Sequence, residues 1–179
     1  MGTPTSQDMR ATYRGAMARF TTGVTIVTTR TMDGPAGMTA SAVASVSLDP
    51  LLLLVCVGNT LATRDAISGS GVFAVSVLSR GQDRHALQFA SRCDDKFAGI
   101  GFRIENDLPV VEGAVAHFAC NVKEEIAGGD HTIFIGEVVS CGYSVDANPL
   151  VHFGGKFGSL CDPHSHAQLG FDWQLAASM

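Results

Sequence analysis

The sequence predicts a mainly β protein, a closed antiparallel barrel with helices plugging its ends. Three observations predict it. Segments rich in Val, Ile and Thr recur between turn residues along most of the chain. The second half is almost all strand-like, and its two long segments, 114–126 and 131–143, are joined as a hairpin by Gly128-Gly129-Asp130. Only three segments read as helices, which leaves roughly seven or more strands to bury one another.

Residues 1–4 read as a loose end. Thr5-x-x-Asp8 resembles a capping box with Asp in place of Glu. It opens a helix whose Met9, Tyr13, Met17 and Phe20 share one face, a stripe that predicts packing, and Gly23 is the expected stop. From Val24 the pattern turns β. Residues 24–30 form a strand, Asp33-Gly34-Pro35 turns the chain, and 37–47 answers as one partner strand.

That answering strand is the most telling part of the chain. Thr39, Ser41, Ser45 and Ser47 fall on one side, interrupted by Val43; Met38, Ala40, Ala42, Ala44, Val46 and Leu48 fall on the other. A wet strand face ordinarily carries Lys, Glu or Arg. This one carries short hydroxyls, which suit close approach to a flat, hydrogen-bonding molecule. A sheet-packing strand with locally bonded hydroxyls fits the same residues equally well. Asp49-Pro50 turns the chain, and 51–57 reads as a fully buried strand.

Gly58-Asn59-Thr60 is expected to cap a short helix reaching Ile67, with Gly69–Gly71 ending it. Residues 72–78 form a strand, and 82–90 a helix with Leu87 and Ala90 facing inward. Residues 94–97 form a loop or single turn. Short strands follow at 101–104 and 109–111, and a final strand at 150–157. Leu169, Phe171 and Trp173 mark a tail packed on the body or on a partner. No repeat or low-complexity linker divides the chain, so one domain is expected at 20–160, flanked by a helix and loose end at 1–19 and a tail at 161–179.

Composition narrows the function. The chain has 179 residues, 46% hydrophobic and 16% charged, enough for one core and low enough in charge to suggest cover by a second subunit. A net charge of −5 without a basic run argues against nucleic acid. No apolar run approaches a membrane span, and the start shows no secretion signal. Five widely spaced cysteines, an odd number without a C-x-x-C pair, fit free thiols in a reducing cytoplasm. Cys161, His164 and His166 could ligate zinc, but no fourth ligand is evident. A polar loop is the expected reading there, and no metal site is assigned.

Six segments taken in order, FTTGVTIVTT (20–29), GMTASAVASVSLDP (37–50), FAVSVL (73–78), DKFAG (95–99), LPVVEGAVAHFAC (108–120) and GGDHTIFIGEV (128–138), resemble the short-chain flavin reductases. These are the reductase components of two-component flavin-dependent monooxygenases. The resemblance spans residues 20–160. It implies an FMN-binding split β-barrel of Greek-key type, homodimeric, with flavin near the subunit interface. It also implies an NAD(P)H:flavin oxidoreductase, with FMN ahead of FAD and NADH or NADPH as donor, that supplies reduced flavin to a separate oxygenase. Within the same fold, an oxidase that keeps its FMN and a non-catalytic flavin-binding module are the alternatives.

The resemblance also implies site residues. Thr39, Ala40, Ser41 and Ala42 would lie along the flavin ring and ribityl chain, with Ser45 and Ser47 toward the phosphate. Cys56, Val57, Gly58 and Asn59 would lead to a helix start where Thr63 meets the phosphate, though Asn59 also fits as a simple cap. No Lys or Arg stands at 58–63, so Arg64, the helix dipole or a more distant group must meet the charge. Phe89, Ser91, Lys96 and Phe97 would lie near the flavin, with Lys96 or Arg92 as phosphate partners. Surface charge after a helix is the alternative for those two, and core packing for Phe97. His131 would stand beside the nicotinamide, positioning it or donating a hydrogen bond; a turn histidine bonded to Asp130 is its alternative. His152 and Lys156 fall where relatives carry an aromatic followed by arginines. Gly154-Gly155 removes side chains there, which leaves the grip on the dinucleotide open.

Overall fold

The computed structural model describes residues 6–93 and 95–160. The expectations for Thr5, for the Cys161/His164/His166 cluster and for the tail lie outside them. The elements in order are α1 (Ser6–Met17), β1 (Thr22–Gly23), β2 (Thr25–Thr31), β3 (Gly34–Ala40), β4 (Val43–Leu48), β5 (Leu51–Gly58), α2 (Ala62–Ser70), β6 (Val72–Val77), α3 (Asp83–Ala90), β7 (Phe102–Glu105), β8 (Leu108–Val111), β9 (Ala116–Gly128), β10 (His131–Tyr143), β11 (Leu150–Phe153) and β12 (Lys156–Ser159).

Seven strands form one sheet in the order β3-β2-β6-β9-β10-β5-β4, every neighbouring pair antiparallel. Its two edges, β3 and β4, are consecutive in the chain and joined only by Ser41-Ala42. So short a link reaches about 11 Å at most. The edges must therefore meet, and the sheet curls into a barrel. Val27, Met38, Val55, Val57, Phe73 and Phe134 fill its inside.

β2 is buried on both sides. Val27 points into the barrel, whereas Ile26 joins Leu78, Ala86, Phe89 and Val111 in a second cluster under α3. That double burial explains its unbroken β-branched run. The β7–β8 hairpin is a separate two-stranded sheet. It is held to the barrel where Thr28 Oγ1 donates to the Pro109 carbonyl (2.5 Å) and Ser76 Oγ accepts from the Val111 amide (3.1 Å). A third sheet, β1-β11-β12, carries His152 opposite Thr22.

Several expectations are corrected. Residues 37–47 are two strands, because the chain leaves one edge of the sheet and joins the other at Ser41-Ala42. The alternation flips across that break. Val43 packs against the core, and Ala42 and Ala44 are exposed. β5 is buried on one face only: Leu53, Val55 and Val57 point in, while Leu52, Leu54 and Cys56 remain partly open. Residues 150–157 form a hairpin rather than one strand, turning at Gly154-Gly155, whose φ values of 60° and 78° suit glycine.

α3 faces inward through Ala86 and Phe89, whereas Ala90 is exposed and Leu87 stands 59% exposed. α1 ends at Met17, so Gly23 lies in β1 and does not stop it. The first residue before α2 is Leu61, which makes no side-chain capping bond, so Asn59 and Thr60 do not cap that helix. The apolar stripe of α1, continued by Phe20 just past its end, finds no cover among the described residues: Met9, Tyr13, Met17 and Phe20 are each about half exposed or more, Phe20 reaching 68%. Among the described residues, no helix is long and apolar enough to cross a membrane.

Candidate functional site

The break at Ser41-Ala42 belongs to neither strand ladder. It is anchored from below by the Cys56 amide, which donates to the Ala42 carbonyl (3.0 Å). α1 passes over it. Between helix and barrel lies a cavity of about 690 Å³ bordered by Ser41, Ala42, Cys56, Leu54 and His152. A second, of about 910 Å³, is bordered by Ala42, Cys56, Ile133, Asp130 and His131. Tyr13, Arg14, Ala42 and Cys56 border both, so the two form one groove. His152 stands at one end and His131 at the other.

The groove suits a flat aromatic ligand. Its dimensions are those of a small-molecule site, and its floor is built from small or apolar residues. Burial raises the Cys56 thiol above its usual pKa, so the floor there carries no charge. The Thr22 hydroxyl is buried beside the groove with no partner among the described residues, which leaves a polar atom for a ligand to satisfy. Arg14 brings positive charge from α1.

His131 opens β10 opposite Gly58. Its Nδ1 lies 2.7 Å from Asp130 Oδ1, and its side chain is 48% exposed. An ionised carboxylate only accepts, so Nδ1 carries the proton and Nε2 is left to face a ligand. The same hydrogen bond, then the imidazole's charge, holds the Asp130 carboxyl below its ordinary range. The turn bond to Asp130 and an accessible ring therefore coexist.

Of the residues singled out in the sequence, the groove gathers Ser41, Ala42, Cys56, His131 and His152, with Gly58 and Asn59 beside His131. Others go elsewhere. Ser45 and Ser47 border a separate cavity of about 240 Å³ with Leu48, Leu52 and Cys141, and Ser47 Oγ accepts from the Asp49 amide. Ala40, Val57 and Phe89 point into packed core, so their side chains present nothing to a ligand. Thr63 is buried on α2.

The Thr39 hydroxyl donates to the Ala86 carbonyl (2.6 Å), tying β3 to α3. Ser91 closes α3 by donating to the Gln88 carbonyl. Lys96 donates to the Phe89 carbonyl (3.0 Å), so it satisfies a helix end. Phe97 packs edge-on against both Phe89 and Phe102. Arg64 is paired with Asp65, though its Nε is buried without a partner among the described residues. Lys156 is exposed on β12, away from the groove lining.

Tyr13, Arg14 and Thr22 were not singled out as site residues. The α1 stripe was the available signal for Tyr13. Arg14 reads as ordinary helix surface, and nothing local marks Thr22.

Residues 17–160 match the family model described as a flavin reductase like domain. The chain is 40% identical to the FMN reductase (NADH) SmoA of Agrobacterium fabrum over 147 residues, 82% of this chain and 83% of that protein. It is 37% identical to the flavin-dependent monooxygenase reductase subunit HsaB of Rhodococcus jostii, over 83% of this chain and 76% of the other. Among solved structures it resembles the NADH:FAD oxidoreductase SgcE6 of Streptomyces globisporus, determined with NAD and FAD fragments. There the TM-score is 0.84 at 35% identity, covering 90% of this chain and 99% of that one.

Proposed function

This chain belongs to the flavin reductase like domain family, and from that premise we propose that it is an NAD(P)H:flavin oxidoreductase delivering reduced FMN or FAD to a separate monooxygenase. One observation carries the reading. A groove floored by Ser41, Ala42 and Cys56 runs between two histidines, and among the described residues that line it Asp130 is the only carboxylate. The residues fit a flavin: short side chains at the strand break allow backbone approach, and the Thr22 hydroxyl awaits a partner.

When both molecules are bound, hydride transfer from nicotinamide C4 to flavin N5 is chemistry the cofactors supply. The protein's part is placement. The strand break supports the ring, Arg14 draws anionic groups inward, and His131 offers Nε2 to the nicotinamide side. A site held by short neutral side chains is suited to releasing its product.

Among the described residues the roof of the groove is incomplete, because the α1 stripe that borders it stays exposed. The β4–β5 edge also shows apolar side chains, with Leu48 70% and Leu51 48% exposed. Two such faces on one molecule support a homodimer in which a second copy covers them. Free thiols at the described cysteines fit a cytoplasmic setting.

The test follows NADH and NADPH absorbance with and without added FMN and FAD. Nicotinamide consumption that depends on added flavin is expected. Yellow protein as purified, with poor activity on added flavin, points to the FMN-retaining oxidase, and no consumption with either flavin overturns the enzyme reading.

A further inference from the structure

Asn59 stands just after β5, beside the hairpin that carries His131. Its backbone amide donates to the Asp130 carbonyl (3.0 Å). Its Nδ2 donates to the Gly129 carbonyl (3.2 Å), and its Oδ1 accepts from Thr132 Oγ1 (2.8 Å). A carbonyl can only accept, so the bond to Gly129 fixes which way the amide is turned. One residue thus grips the hairpin at 129, 130 and 132, on both sides of His131. The preceding residue, Gly58, is the ladder partner of His131 itself.

The hairpin needs such a strap. Its turn contains Gly129 with φ +73°, and Gly128 precedes it, so the tip has little stiffness of its own. Asp130 orients the imidazole but sits on the same tip and moves with it. Beyond the β5–β10 ladder, which ends at Gly58 opposite His131, Asn59 extends the hold onto the tip from the strand whose Cys56 floors the groove.

We propose that Asn59 is a positioning residue for His131, acting through its bonds to Gly129 and Thr132 rather than by touching flavin. The inference rests on the reading of His131 as the group facing the nicotinamide. It differs from the expectation that Asn59 binds cofactor, because the donor and the acceptor ends of its amide each already hold a partner within the hairpin.

The test compares Asn59→Ala, Thr132→Val, His131→Ala and the double variant Asn59→Ala/His131→Ala in steady-state kinetics with both substrates. The ring 15N shifts of His131 are read in parallel. The expected result is a rise of about three- to tenfold in the nicotinamide KM for Asn59→Ala and Thr132→Val, the scale of one or two net hydrogen bonds. Flavin KM should stay unchanged, and the double variant should be no worse than His131→Ala alone. The 15N shifts should move from a single Nδ1-protonated form toward a mixture of tautomers. Additive effects, or a flavin KM that rises for Asn59→Ala but not for Thr132→Val, would overturn the proposal while leaving the role of His131 intact. An unchanged nicotinamide KM in His131→Ala would overturn the reading of His131 and the proposal with it. Thr132→Val keeps the volume of the side chain, so it answers the question even where Asn59→Ala folds poorly.

Discussion

Gly136 on β10 lies against the ring of Phe73 on β6, so close that a Cβ there would stand 2.5 Å from Phe73 Cζ and 2.8 Å from Cys120 Cβ. Phe73 is fully buried in the barrel and has nowhere to retreat. Gly136→Ala is therefore expected to destabilise the protein by about 1–3 kcal/mol through overpacking. Urea unfolding monitored by circular dichroism measures it; an unchanged midpoint would mean that the barrel interior is looser than this contact implies.

Two neighbouring alanines separate core from groove. Ala40 packs inside the barrel, whereas Ala42 is exposed on the groove floor. Ala42→Leu should leave stability within about 0.5 kcal/mol. It should lower flavin-dependent NADH oxidation about tenfold or more by occupying ligand space. Ala40→Leu should do the reverse, costing about 1–3 kcal/mol of stability. Thermal melts alongside flavin titrations separate the two outcomes.

Glu105 gives a pH signature. Its carboxylate accepts from the Ser140 hydroxyl and lies 2.9 Å from His117 Nε2 and 3.2 Å from Arg103 Nη2. Ser140 is the main cause that holds its pKa below the usual 4.5; burial opposes this, and His117 and Arg103 assist. A depressed carboxylate stabilises the fold above its unfolded pKa, and that stability is lost as pH falls through the folded one. Wild-type protein should therefore lose stability on acidification from the ordinary carboxylate range downward. Glu105→Gln should start less stable at neutral pH and show a shallower acid slope. Parallel slopes in the two proteins would rule this linkage out.

The exposed α1 stripe predicts an association effect. Tyr13→Ser combined with Met17→Ser should weaken the proposed homodimer roughly a hundredfold or more, since each burial contributes on the order of 1.5–3 kcal/mol. Sedimentation at several concentrations reads this directly. A wild-type protein that sediments as a monomer throughout would remove the second copy from the account.

The barrel was legible because its strands announce themselves. β2 is β-branched from Thr25 to Thr29, β9 and β10 flank an unmistakable Gly-Gly-Asp turn, and the cysteines sit singly. The corner was not legible. Residues 37–47 keep a local alternation across Ser41-Ala42 that only Val43 interrupts, and only the topology of distant strands β6, β9 and β10 forces the chain to change edges there. The same non-locality hides which side chains face the groove. Ala40 and Val57 sit within a few residues of the groove floor in sequence, yet pleating turns their side chains into the core. Lys96 looked like a free cation, but the carbonyl it serves lies at the end of α3, a partner that charge patterning does not reveal. The groove's α1 side was hidden because Tyr13 and Met17 read as core, whereas among the described residues no core covers them.

The two-residue corner at Ser41-Ala42 has a thermodynamic consequence. It is the seam where the first and last strands of the curled sheet are stitched together, so a molecule lodged on it grips both margins at once. Such a molecule cannot be held by a chain whose seam has parted. Its occupancy is therefore linked to survival of the entire barrel, and a hundredfold excess over its dissociation constant should add about 2.7 kcal/mol of resistance to unfolding.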